Sequence, residues 1–147
     1  MNPRSSPPDG PNGSRKGSRS GNPDTLRILV ADDELGVRDV LRRYLEADGH
    51  SVETASNGED ALACYKCGKW DLVLTDRVMP RMSGDELAEA IKEIDAGMPI
   101  ILVTAYADWA PAAFSTRSPY DLLVRKPFNR EIIQAAVRAI SAGLVHR

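Results

Sequence analysis

Asp32, Asp33 and Asp76 carry carboxylates, Thr104 a hydroxyl and Lys126 a cation, and each falls at or shortly after the end of a short apolar run. Brought together, such groups could handle a phosphoryl group. Carboxylates ~5 Å apart repel by roughly 3 kcal/mol at an effective dielectric of about 20, so three in one place call for a counter-charge. A hard divalent cation supplies it. Mg2+ takes oxygen ligands, uses one or two carboxylates, keeps waters and is completed by phosphate. Three aspartates, one Mg2+ and one lysine sum to zero charge, so an incoming phosphoryl group meets no large opposing field. A carboxylate can itself accept that group as a mixed anhydride. In-line transfer then asks mainly for positioning and charge neutralisation. Singly, each residue has a plainer explanation. An aspartate after a strand is a common helix N-cap, as Asp33 would be for a helix beginning near Leu35. A lone threonine or lysine there is an ordinary turn residue. The set, not any member, argues for chemistry.

The elements that must position the set are legible in the hydrophobic pattern. LRILVA (26–31), SVETA (51–55), WDLVLT (70–75), PIILVT (99–104) and YDLLV (120–124) read as strands. The first, third and fourth are nearly continuous Val, Ile and Leu, as in strands buried on both faces. Helical spacing occupies 35–47, 57–67, 84–94, 107–116 and 129–141, the fourth with Pro111 in its first turn. Ser56-x-x-Glu59 and Ser83-x-x-Glu86 spell capping boxes, and Gly49, Gly68 and Gly97 fall where left-handed helix caps are favoured. Strand and helix alternating over short connections predict a single α/β domain: a doubly wound parallel sheet of five strands with helices on both faces. In such a sheet ligands bind outside the carboxyl ends of the strands, at the switch point in strand order. Four of the five predicted strand ends deliver polar groups to that rim; the second, ending in Ala55, delivers none.

Composition narrows the class. Of 147 residues, 42% are hydrophobic and 27% charged, an ordinary globular balance. Residues 1–24 hold almost no apolar side chain and many Pro, Gly and Ser, so they are expected to be a disordered tail. Residues 25–142 are expected to form the domain and 143–147 its C-terminal end, with no room for an output domain beyond it. The first 25 residues carry +2 and the rest −4, which argues against direct binding of nucleic acid. With no apolar span or secretory leader and only two cysteines, a cytoplasmic location without membrane attachment is expected.

Four motifs now coincide: Asp32-Asp33 after the first strand, Asp76-Arg77-Val78-Met79-Pro80 with Gly84 beyond it, Thr104-Ala105, and Lys126-Pro127-Phe128. In this order and spacing the chain resembles the receiver domains of two-component response regulators over about residues 26–141. The resemblance implies a flavodoxin-like fold with strand order 2-1-3-4-5. It implies Asp76 as phosphoacceptor, and Mg2+ held by Asp33, Asp76 and the Val78 carbonyl, with Asp32 acting largely through water. Thr104 and Lys126 would each meet a phosphoryl oxygen, and Lys126-Pro127 would be a cis peptide. The donor would be a sensor histidine kinase or a histidine phosphotransfer protein. The output would be a changed surface over segment 107–116, the fifth strand and the last helix, read by a further protein. Such a chain is a signalling switch, not an enzyme on external substrates.

One position departs from the family pattern. Three residues before the lysine, where many receivers carry Tyr or Phe, stands Leu123; Tyr120 lies three residues earlier still. Other motifs read as structural. Cys64-x-x-Cys67 sits late in a helix, away from the helix start that would stabilise a thiolate. His50 and His146 are not placed for phosphorelay, and Trp70 and Trp109 have no basic stripe beside them. A rival reading is a haloacid-dehalogenase-type phosphatase, which shares Asp, Thr, Lys and Mg2+. That resemblance calls for D-x-D after the first strand, where this chain has Asp32-Asp33-Glu34. A receiver belonging to a larger protein such as a hybrid kinase is a third reading.

Overall fold

The computed structural model describes residues 25–105 and 118–143. Its strands are β1 (Arg27–Ala31), β2 (Ser51–Ala55), β3 (Leu72–Thr75), β4 (Ile100–Thr104) and β5 (Leu122–Arg125). They form one sheet in the order β2-β1-β3-β4-β5, every pairing parallel. The helices are α1 (Leu35–Ala47), α2 (Gly58–Lys66), α3 (Gly84–Ile94) and α4 (Arg130–Ser141). The expected architecture and strand order are thus observed. The helix expected at 107–116 falls outside the described residues.

Two cores explain why the central strands carry no polar alternation. Successive strand side chains point to opposite faces. Ile28, Val30, Leu72, Leu74, Ile101 and Val103 meet Leu41 and Leu45 of α1 and Ile133, Val137 and Ile140 of α4. Leu29, Ala31, Val73, Ile100 and Leu102 meet Ala61 and Tyr65 of α2 and Leu87, Ala88 and Ile91 of α3. Edge strand β5 divides between the two cores in the same way: Leu122 packs with the first group and Leu123 with the second.

Helix ends correct several expectations. The Ser83–Glu86 capping box forms in full. The Ser56 box does not: α2 is capped one residue later by Asn57, whose side chain accepts from the Asp60 N–H at 2.8 Å and donates to the Asp60 carboxylate. Asparagine is as good a cap as serine, and Asp60 completes the reciprocal pair. Asp33 caps nothing either; Glu34 holds the N-cap of α1 with no side-chain hydrogen bond. Of the three glycines read as left-handed caps, only Gly49 has positive φ, +95°. Gly97 is not needed as one because α3 exits through Asp95 in extended conformation. Gly68 lies close against the Trp70 ring, so room, not backbone freedom, favours glycine there.

Gly84 matters most for the site. A Cβ on it would collide with the Asp76 carbonyl and the Arg77 Cα, while its own N–H donates to the Arg77 carbonyl at 2.8 Å. Glycine thus lets α3 start directly against the backbone of the Asp76 loop. Gly84→Ala is expected to destabilise the domain by about 2 kcal/mol, since backbone atoms cannot swing aside as a side chain can. Urea unfolding measures this; an unchanged midpoint would show that the loop gives way freely.

The remaining motifs settle as structural among the described residues. Cys64 and Cys67 are free thiols, and burial raises the Cys64 thiol above its ordinary value, which favours the unreactive form. His50 Nδ1 accepts from the Leu26 N–H at 3.0 Å. Trp70 donates to the Tyr65 carbonyl at 3.1 Å and carries the Arg27 guanidinium 4.9 Å above its ring. Trp109 and His146 lie outside the described residues. No described helix is long and apolar enough to cross a membrane.

Candidate functional site

The sheet's hydrogen-bond ladder continues past the strands and fixes the site backbone. The Asp32 N–H donates to the Ala55 carbonyl at 3.1 Å, and the Asp76 N–H to the Ala31 carbonyl at 2.9 Å. The Lys126 N–H donates to the Thr104 carbonyl at 2.9 Å. Because β1 and β3 are neighbours, the residues that follow them, Asp32 and Asp76, emerge side by side at the switch point in strand order. Lys126 arrives just beyond β5, before a cis bond to Pro127.

The side chains converge. Carboxylate oxygens of Asp32, Asp33 and Asp76 all lie within 4.8 Å of one another, with Asp32 and Asp76 buried and Asp33 exposed. Lys126 Nζ donates to Asp32 Oδ2 at 3.0 Å, and stands 3.6 Å from Asp76 Oδ2 and 3.8 Å from Glu34 Oε1. The other oxygen of each buried carboxylate takes a backbone donor: the Glu34 N–H reaches Asp32 Oδ1 at 2.9 Å, the Arg77 N–H reaches Asp76 Oδ1 at 2.8 Å. Thr104 is buried at the end of β4. Val78 is half-exposed in the loop between β3 and α3.

The electrostatics follow from burial. Asp32 is raised above the usual carboxylate range chiefly by desolvation, against the pull of the Glu34 N–H and Lys126. Asp76 is raised by desolvation first and by repulsion from Asp32 second, with Lys126 opposing. Burial alone would lower Lys126, but the Asp32 hydrogen bond and the charges of Asp32, Asp76 and Glu34 outweigh it and hold the amine above its ordinary value. One lysine therefore compensates the cluster only in part. The donor set is all oxygen, converging and carboxylate-rich, which suits a hard divalent cation such as Mg2+ and not a soft one.

Several contributors escape sequence reasoning. Arg38 donates to the Asp32 carbonyl at 2.8 Å, and the Thr75 hydroxyl to the Asp76 carbonyl at 2.8 Å. Glu34 joins the Lys126 cluster; its place in the Asp-Asp-Glu run was the signal for it. Arg77 Nε pairs with Asp85 at 3.3 Å, and Asp85 accepts from the Tyr120 hydroxyl. No pattern in the chain announces those last contacts.

A parallel sheet in this strand order, with an acidic cluster and a lysine at its switch point, defines a flavodoxin-like α/β architecture. Comparison with known proteins makes the family definite: residues 28–138 match the model of the response regulator receiver domain, and the chain belongs to that family. It is 35% identical to the transcriptional regulatory protein ResD of Bacillus subtilis over 78% of this chain and 47% of that protein. It is also 34% identical to a probable transcriptional regulator, ycf27, of Guillardia theta, over 78% of this chain and 44% of that protein. The chain spans about half the length of the curated relatives it matches. Among solved structures, TrrA of Thermotoga maritima, crystallised in complex with Mg2+-BeF, is 36% identical at a TM-score of 0.70, over 78% of this chain and 97% of that one. A CheY-like receiver from Methanospirillum hungatei is 31% identical at a TM-score of 0.73, over 79% and 93%. TrrA has also been solved in complex with the histidine kinase ThkA.

Proposed function

We propose that this domain is a phosphorylation switch that takes a phosphoryl group onto Asp76 with Mg2+ bound beside it. The observation that carries the reading is the convergence of three carboxylates within 4.8 Å with Lys126 bridging Asp32 and Asp76. An Asp76 carboxylate oxygen attacks phosphorus, the new O–P bond forms, and the donor's bond to phosphorus breaks in line. From a phosphohistidine the leaving group is an imidazole; from an acyl phosphate it is a carboxylate. Asp32, Asp33, Asp76 and the Val78 carbonyl would hold the cation. Bound there, Mg2+ neutralises charge on the phosphoryl oxygens. Lys126 contributes a second positive group, and the Thr104 hydroxyl is the donor assigned to a remaining phosphoryl oxygen. The Mg2+-BeF complex of TrrA supports the metal assignment, and its ThkA complex supports a histidine kinase as donor. Output would pass through the surface around β5 and α4 to a further protein. The acidic balance of residues 26–147 does not suit a phosphate backbone. The direct test is incubation with an acyl phosphate and Mg2+, followed by intact mass and site mapping. A stable phosphoester turned over in bulk would favour the phosphatase reading instead.

Asp33 gives a separable check on the metal. It is exposed and has no share in the Lys126 contacts described above, so its carboxylate is available to a cation. Asp33→Ala is expected to weaken Mg2+ binding at least about tenfold, the size of losing a charged ligand oxygen. Calorimetric titration of Mg2+ reads this; equal affinity in variant and wild type would remove Asp33 from the ligand set.

A further inference from the structure

Each buried carboxylate of the cluster is held from two sides. Asp32 takes the Glu34 N–H on Oδ1 and Lys126 on Oδ2. Asp76 takes the Arg77 N–H on Oδ1, with Lys126 3.6 Å from Oδ2. Asp33 differs. It is exposed, and among the described residues its carboxylate has no hydrogen bond or ion pair. Its place in the cluster is therefore set by its backbone, and the peptide that leads into it carries the Asp32 carbonyl. That carbonyl belongs to a residue only 1% exposed, where an acceptor needs a partner. The partner is the Arg38 guanidinium, which donates from Nη1 at 2.8 Å. Arg38 lies in the first turn of α1, its own N–H bonded to the Glu34 carbonyl at 3.1 Å. Helical side chains lean toward the N-terminus of their helix, so the guanidinium reaches back over the Asp32–Glu34 turn. The Arg38 side chain has no other hydrogen bond or ion pair among the described residues.

We infer that Arg38 is a positioning residue for the cation site: it fixes the Asp32–Asp33 peptide and, through it, the direction of the Asp33 carboxylate. This rests on Asp33 as a ligand of Mg2+. Three bonds hold the turn: the Asp32 N–H to the Ala55 carbonyl, the Glu34 N–H to Asp32 Oδ1, and Arg38 to the Asp32 carbonyl. The first two act at its ends; only the third acts on the peptide plane that joins the two aspartates. Without it the plane is free to turn, and Asp33 meets the cation in only part of its orientations. Asp32 and Asp76 keep their own donors, so the loss falls on Asp33. Charge by itself predicts the opposite sign. Arg38 is a cation beside a cation site, and removing it would lessen repulsion and tighten Mg2+. Positioning and charge thus disagree in direction, so one titration chooses between them.

The experiment titrates the whole chain with Mg2+ by calorimetry, comparing wild type with Arg38→Met, Asp33→Ala and the double variant. Methionine keeps an unbranched stem and a similar helix propensity, but has no N–H donor and no charge. Arg38→Met should bind Mg2+ about fivefold more weakly, short of the roughly tenfold or more typical of losing a group bonded to the ligand side chain itself. Arg38→Lys keeps the cation and a donor for this single bond, and should recover most of the affinity. The double variant should match Asp33→Ala, because without the carboxylate there is nothing left to aim. Wild-type or tighter binding by Arg38→Met overturns the proposal, as does a double variant in which the two losses multiply. Unchanged affinity in Asp33→Ala would instead overturn the ligand reading on which it stands.

Discussion

Asp76→Asn is expected to abolish phosphoryl incorporation from an acyl phosphate in Mg2+, leaving no increment in intact mass. The amide is nearly isosteric with the carboxylate, can still accept the Arg77 N–H that now reaches Oδ1, and keeps the loop against Gly84. What it loses is the proposed nucleophilic oxygen and one negative charge in a cluster whose members lie within 4.8 Å. Removing that charge relieves repulsion on Asp32, and Asp76 itself is raised by burial, so its charged form opposes folding at neutral pH. The variant should therefore be at least as stable as wild type while chemically silent. Site-mapped mass spectrometry and urea unfolding read the two halves separately. Phosphate appearing on Asp32 or Asp33 in the variant would contradict the acceptor assignment.

Lys126→Ala is expected to split chemistry from response. In the proposed chemistry the lysine forms no bond to phosphorus, so Asp76 should still be phosphorylated, though more slowly. The structural cost is large, because Asp32 has 1% of its side chain exposed and loses its only bridging cation among the described groups. Breaking a buried ion pair from one side costs roughly 3 kcal/mol or more. The pH dependence has a definite sign. Asp32 and Asp76 already sit above the carboxylate range, and without Lys126 they rise further. A carboxylate raised on folding weakens the fold above its folded pKa and ceases to do so once pH falls below the unfolded value. The stability gap between Lys126→Ala and wild type should therefore be widest at neutral pH and narrow on acidification. Amide shifts around Leu122–Arg125 on phosphorylation should be largely lost. A wild-type shift pattern in the variant would remove Lys126 from the coupling while sparing the acceptor.

The fold was legible because burial on two faces leaves an unmistakable composition. ILVA and IILV have no polar position to confuse the reading, and β2 and α3 fall where their patterns place them. Boundaries were less legible where two capping residues compete. Ser56 and Asn57 both suit an N-cap, and the choice depends on which carboxylate, Glu59 or Asp60, can reach back. The carboxylates and lysine of the candidate site were legible because they follow strand ends, which the sheet topology brings together. The Arg77–Asp85–Tyr120 contacts were not, because they depend on how α3 lies beside the segment entering β5, and side-chain reach across elements leaves no spacing rule.

The ladder that runs past the strand ends has a consequence for how the site can fail. The amides of Asp32, Asp76 and Lys126 are bonded to Ala55, Ala31 and Thr104, so they are rungs of the sheet and not of a loop. Loops fray by opening locally, but the rungs of a parallel sheet packed on both faces exchange their hydrogens mainly when the domain opens as a unit. In deuterium exchange these three amides should be as slow as those of β1 and β3, against faster neighbours such as Val78. Warming or mild denaturant would then leave each molecule either fully competent or unfolded, with no population of loosened, half-active domains between.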